Sequence, residues 1–187
     1  MNVNSKEAIL AVARRTAQAH GYGGLNFRDL AADVGIKAAS IYHYFPSKAD
    51  LGAAVAKRYW EDTAAALEAL SAEAGDPIIA LRRYPETFRK ALTTDNRICL
   101  ASFMAAEVDD LPDAVKKEVR IFGDINVSWL SRALSAAAVV DLEQAEPRAR
   151  AIFAAIVGAQ LMARGRGDVA LYDALIDGYR SAGLLPA

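Results

Sequence analysis

The sequence predicts an all-α protein, with an N-terminal three-helix unit followed by a longer helical body, about nine helices in total. Three observations carry this. Apolar residues recur at i, i+3 and i+4 along most of the chain, the period of a helix with one buried face. β-branched runs alternating with period two, the mark of half-buried strands, are absent. Gly and Pro are sparse and gather at a few points, where they act as punctuation between helices.

The elements follow in chain order. Residues 4–20 read as an amphipathic helix through Ala8, Ile9, Val12, Ala13, Thr16 and Ala17, with Asn4 or Ser5 as its cap and Gly21 as its end. After the GYGGLN turn, Asn26 suits the N-cap of a short helix over 27–34, and Gly35 ends it. A second short helix covers 38–45 and stops before Pro46, because the residue preceding a proline avoids the α region. Ser47, with Asp50 three residues on, starts a long helix over 48–73 in the manner of a capping box. Further helices are predicted over 77–93 (with a kink at Pro85), 96–108, from Pro112 to about 138, from Asp141 or Glu146 to the GRGD at 165–168, and over 169–182 up to Gly183.

Charge is unevenly spread. Residues 1–60 hold eight Lys/Arg against four Asp/Glu, a net of +4, while the remainder carries −5. The N-terminal third therefore suits a polyanionic partner, although a solvated surface gives the same count. No apolar run reaches the roughly 18 residues of a membrane span, and MNVNSKEAIL lacks the form of a secretory signal. The single cysteine, Cys99, excludes an internal disulfide framework and fits a reducing cytoplasm, the expected location.

The stretch GIKAASIYHYF bears most directly on the partner. At 100° per residue, Ala38, Ile41 and Phe45 share one side of the helix and Ala39, Ser40 and His43 the other, with Tyr42 and Tyr44 on the flanks. Leu30, Ala31 and Val34 of the preceding helix complete the apolar side, and Gly35 permits a tight turn between the two. A helix exposed only for solubility would carry Glu and Lys. This one exposes small residues, hydroxyls and an imidazole, which allow close entry into a DNA major groove. Ser40, His43 and Tyr44 can bond base edges and Ala39 can meet a thymine methyl. Tyr42, Lys48 and the backbone N–H groups near Ser47 can grip phosphates, and Arg28 and Lys37 flank the turn to do the same or to reach bases. The plainer reading of the same pattern is an ordinary helical hairpin.

The segment FRDLAADVGIKAASIYHYFPSKADL resembles the helix-turn-helix of the TetR family of bacterial transcriptional regulators, through Ala31, Gly35, Ile41, Tyr42, Tyr44, Phe45, Lys48 and Leu51. Asn26 stands where the family usually has threonine, and Lys37 where it often has serine. The resemblance implies recognition-helix roles for Lys37, Ala38, Ala39, Ser40, Tyr42, His43 and Tyr44, with Tyr42 and Lys48 on phosphates. It implies a DNA-binding domain over 1–47 and an effector-binding and dimerisation domain over 48–187. It also implies a homodimer on a (pseudo)palindromic double-stranded site, with repression as the default and a small-molecule effector as the trigger.

The body of the chain is less explicit. Ile152, Ala155, Ile156, Ala159 and Met162 share a face, with Ala155, Gly158 and Ala159 small enough for close approach, and Leu171 and Leu175 lie on the last helix. Two such helices from each of two chains would form a four-helix bundle. Aromatic and soft residues gather in the middle: Trp60, Tyr84, Phe88, Phe103, Met104, Phe122, Trp129 and Phe153. Of these, Tyr84, Phe88, Phe103, Phe122 and Trp129, together with Cys99 and Gln160, are the candidate effector pocket, or else plain core. Gln160 is either a polar anchor or a bond across the dimer. RICLASFMAAEVDDLPD resembles the cysteine-bearing helix of NemR-like regulators. In the first turn of a helix and near Arg97, Cys99 would be thiolate-prone and electrophile-sensitive; buried, it would be a small hydrophobe.

Two rival classes compete with this reading. A Cys–His hydrolase would need a histidine near Cys99, but His20 and His43 fall in or beside the DNA-reading unit. No metal-ligand cluster, phosphate loop or dinucleotide turn occurs, so neither catalysis nor a cofactor is expected. A helical ligand-binding or adaptor protein that keeps the scaffold without reading DNA is the other alternative.

Overall fold

The computed structural model describes residues 3–187, with side chains from Ser5 onward. Among the described residues it holds nine α-helices and no strand: α1 (Val3–His20), α2 (Phe27–Val34), α3 (Ala38–Tyr44), α4 (Lys48–Ala74), α5 (Pro77–Thr93), α6 (Leu100–Ala106), α7 (Asp113–Ala136), α8 (Leu142–Arg166) and α9 (Val169–Ser181). A 3-10 turn at Val108–Asp110 joins α6 to α7. No helix of the described residues is long and apolar enough to cross a membrane.

Two compact units emerge, and the chain passes between them three times. One comprises the residues up to Asp62 together with Leu100–Phe122; the other comprises Thr63–Cys99 and Gly123–Ala187. The helix-turn-helix segment is thus not closed at residue 47. Its core of Ile9, Ala13, Ala17, Leu30, Ile41 and Phe45 continues into Leu51 and Val55 of α4, Leu100 and Met104 of α6, and Val115 of α7. Burying each such Leu, Ile or Val stabilises by about 1.5–3 kcal/mol. That matters most for α3. Seven residues are too few to hold a helix alone, so α3 depends on the fully buried Ile41 and on Phe45 just beyond its end.

In the second unit α5, α8 and α9 pack together. Tyr84 of α5 stacks on Trp129 of α7 with centroids 5.4 Å apart, and its hydroxyl donates to the fully buried Asn126 at 2.8 Å. Pro85 lies inside α5; its carbonyl accepts the Tyr172 hydroxyl at 2.7 Å. Arg89 forks onto both carboxylate oxygens of Asp173, at 2.7 and 2.8 Å, tying α5 to α9.

Two elements differ from the sequence reading, and in a third the structure selects between the two starts expected. α1 begins at Val3, so neither Asn4 nor Ser5 occupies its cap position, and the residues before it lie outside those described. The helix expected over 96–108 shortens to α6, because Asp95 and Asn96 adopt left-handed φ values of 56° and 51° and turn the chain out of the helical path. Cys99 accordingly precedes α6 and does not lie in a first helical turn. Asp141, not Glu146, is the N-cap of α8, and Pro147 falls inside that helix.

Candidate nucleic-acid interface

α3 is placed by local chemistry at each of its borders. The Asn26 side-chain oxygen accepts the backbone N–H groups of Arg28 at 2.8 Å and Asp29 at 3.4 Å, so this carboxamide serves the start of α2. Gly35 closes α2 with φ 76° and ψ 33°; its N–H bonds Ala32 C=O, and the N–H of Ile36 bonds Ala31 C=O, the paired bonds of a Schellman turn. α3 follows after only three residues. Ser47 Oγ then accepts the Asp50 N–H at 3.1 Å and donates to the Asp50 carboxylate at 2.7 Å, fixing the first turn of α4.

This framework divides the predicted DNA-contacting residues by exposure. Ala39, Tyr42 and His43 of α3 are exposed, as are Arg28 on α2 and Lys37 in the turn, while Ala38, Ser40, Tyr44 and Lys48 are half-buried. Tyr42 keeps 56 % of its surface open, yet its ring leans on Phe27 with centroids 4.6 Å apart, which fixes where its hydroxyl projects. The His43 ring meets the edge of Tyr44 at 5.3 Å. Lys48 Nζ donates to Gly23 C=O at 3.0 Å and stands 4.8 Å from the Tyr22 ring centroid.

The surplus positive charge is partly consumed within this unit. Arg14 and Arg58 pair with Asp62, Arg58 also pairs with Glu7, and Lys57 faces Glu61. Arg28 and Lys37 make no ion pair among the described residues, which leaves their charge available beside α3.

The residues expected to line an effector pocket do not share one compact unit. Tyr84, Phe88, Trp129, Cys99 and Gln160 belong to the second; Phe103 and Phe122 belong to the first, where Phe122 stacks on Tyr59 at 5.3 Å. Gln160 is fully buried and its amide acts within its own chain, not across a dimer: Oε1 accepts the Cys99 N–H at 2.9 Å and Nε2 donates to Phe88 C=O at 2.7 Å. Cys99 is 1 % exposed. Burial, with smaller contributions from the nearby Cys99 and Tyr172, pushes the Tyr84 phenol well above its ordinary pKa, so it remains a neutral donor to Asn126. Trp129 also lines a cavity of about 270 Å³ formed with Ser71, Pro77, Ala80, Arg132 and Ala133. Sequence reasoning missed Asn126 and Ser71, which receive the polar ends of Tyr84 and Trp129; an asparagine amid the apolar positions of α7 was the available signal.

The residues predicted for a dimer face divide by burial. Ile152, Ile156 and Ala159 are fully buried in the chain's own core and offer nothing to a partner. Ala155, Leu171 and Leu175 are half-buried, and Met162 is 53 % exposed. Beside Met162 on α8, the exposed or half-exposed positions are Ala154, Ala155, Gly158 and Leu161; α9 presents Ala170, Ala174 and Gly178.

A capped α2, a left-handed glycine turn and an exposed, ion-poor α3 form a helix-turn-helix of the kind found in DNA-binding transcriptional regulators. Comparison with known proteins supplies the relatives. Residues 9–55 match the model of the bacterial regulatory proteins of the tetR family. A TetR transcriptional regulator from Legionella pneumophila superposes with a TM-score of 0.90 at 29 % identity, over 97 % of this chain and 99 % of that one. A TetR-family regulator from Agrobacterium tumefaciens gives 0.89 at 29 % identity, over 96 % and 97 %. Reduced Escherichia coli NemR shares the fold, with a TM-score of 0.82 at 21 % identity over 98 % of each chain. No curated protein matches the sequence. The match over residues 9–55 and these superpositions make the chain similar to TetR-family transcriptional regulators along its whole length.

Proposed function

We propose that the protein is a cytoplasmic repressor that binds a palindromic operator as a homodimer and leaves it when a small apolar effector binds the helical body. Residues 1–47 read DNA in this scheme, and 48–187 bind effector and partner. The observation that carries it is the outer face of α3, where Ala39, Tyr42 and His43 stand exposed, with Arg28 of α2 and Lys37 at the start of α3 also exposed and in no ion pair among the described residues. Arg28, Lys37, Tyr42 and Lys48 serve backbone phosphates, while Ala39, Ser40, His43 and Tyr44 serve base edges. Asn26 contributes through the helix start that it caps.

The dimer reading is supported by the small and apolar exposed positions of α8 and α9, with Leu161 at 60 % and Met162 at 53 % exposure among them. Two copies of this pair would cover these side chains in a two-fold four-helix bundle. The effector reading is supported by the cavity beside Trp129. Its roughly 270 Å³ exceeds the approximately 150 Å³ that accommodates a benzene ring in an apolar protein cavity. The burial of Cys99 favours a non-covalent effector over an electrophile.

Selection of bound sites from random duplex DNA, followed by footprinting, tests the reading. The expected product is an inverted repeat with half-sites one helical turn, about 34 Å, or a multiple apart. Affinity should fall steeply with salt as phosphate contacts are lost. A selection that enriches no site, or binding indifferent to salt, would favour a scaffold-only adaptor. Electrophile treatment of wild type and Cys99→Ser separates the two effector classes: release only of the protein with Cys99 would reinstate the thiol.

A further inference from the structure

The turn between α1 and α2 has a composition that predicts looseness. Residues 21–24 are Gly-Tyr-Gly-Gly, and glycine loses more conformational freedom on ordering than any other residue. Yet everything downstream depends on this turn, because α2 starts at its end and carries α3. The turn is gripped from two sides. At the end of α6 the Glu107 carboxylate accepts the Tyr22 N–H at 2.7 Å. The same carboxylate occupies the space over Gly21, where an added Cβ would lie 2.3 Å from either of its oxygens. From the start of α4, Lys48 donates to Gly23 C=O at 3.0 Å and covers the Tyr22 ring. That ring is itself seated on Gly52 of α4, where a Cβ would lie 2.6 Å from Tyr22 Cε2 and 3.1 Å from Val115 of α7. Glycines at 21 and 52 thus make room for a carboxylate and a ring that hold the turn.

We infer that Glu107 is a positioning residue for DNA binding: it touches no DNA itself but, opposite Lys48, clamps the Gly21–Gly23 turn and so fixes the angle at which α2 and α3 meet the duplex. The inference rests on the DNA-binding reading above. It has a sign that simple electrostatics does not share. A carboxylate in the DNA-binding unit repels phosphates, so its removal should strengthen binding if charge were all that mattered. The clamp requires the reverse.

The experiment compares wild type, Glu107→Ala and Glu107→Gln in three measurements: affinity for the selected operator by fluorescence anisotropy, backbone amide hydrogen exchange, and thermal midpoint. Loss of one charge-assisted hydrogen bond corresponds to roughly a tenfold change. Glu107→Ala should therefore bind about tenfold more weakly, with exchange accelerated at Tyr22 and its neighbouring glycines and unchanged in α8. Glu107→Gln keeps an acceptor oxygen and should recover most of both. Unchanged or tighter binding by Glu107→Ala overturns the clamp. So does a glutamine variant as poor as the alanine one, or acceleration of exchange spread evenly over the chain. If wild type binds no DNA, the DNA-binding reading falls, and the exchange at Tyr22 alone decides whether the clamp exists.

Discussion

Replacing Gln160 by Met probes the best-defined polar contact in the second unit. The two side chains are close in length, so the substitution removes hydrogen bonds with little change in volume. Two bonds go: the Cys99 N–H loses its acceptor and Phe88 C=O loses a second donor. A buried backbone N–H left without its partner costs about 1–3 kcal/mol, and an ordinary lost bond about 1 kcal/mol. The apolar replacement returns roughly 1 kcal/mol through the buried thioether and methyl. The net expectation is a loss of about 2 kcal/mol. For a chain of this size each kcal/mol shifts the melting midpoint by about 2–4 °C, so Tm should fall by about 4–8 °C. Thermal and urea melts at one fixed protein concentration, needed because dimerisation raises apparent stability, provide the assay. The urea midpoint should drop while the slope stays constant. A variant as stable as the parent would refute the view that Gln160 is retained to satisfy the segment entering α6.

Two further substitutions follow from the backbone and from burial. Ala138 closes α7 in the left-handed region at φ 51°, in the place where a Schellman turn favours glycine; Ala138→Gly should stabilise by about 1 kcal/mol, read as a higher urea midpoint, and a lower midpoint would count against the assignment. Burial raises the phenol pKa of both Tyr84 and Tyr172 above the ordinary 10.0. Above pH ~10 the unfolded chain loses these protons while the folded chain keeps them, so each tyrosine should erode stability by about 1.4 kcal/mol per pH unit. Tyr84→Phe and Tyr172→Phe should each flatten the decline of the urea midpoint with pH; an unaltered slope would show that the residue titrates alike in both states.

Legibility in the sequence followed punctuation. α2 and α3 could be bounded almost to the residue because Asn26, Gly35, Pro46 and Ser47 each perform a local backbone task. α6 was overextended because its approach is turned by Asp95 and Asn96, non-glycine residues in the left-handed region that leave no distinct sequence mark. The outward side of α8 was not legible because alanine lies on both sides of that helix: Ala159 is buried, Ala154 exposed and Ala155 between them, so composition cannot fix the phase. Glu107 and Asn126 stayed invisible for another reason. Their partners, Tyr22 and Tyr84, stand 85 and 42 residues away, and a long-range bond has no periodicity.

The division of the chain into interleaved compact units bears on how such a regulator can be altered by descent. A single recombination event exchanges one contiguous stretch, but the first unit is assembled from two, with residues 63–99 between them. Importing a foreign head by one crossover would separate Ile41, Leu51 and Val55 from Leu100, Met104 and Val115, the residues with which they share a core. On the proposed reading, operator preference should therefore change more readily by point substitution at Ala39 or His43, positions whose side chains the core does not need.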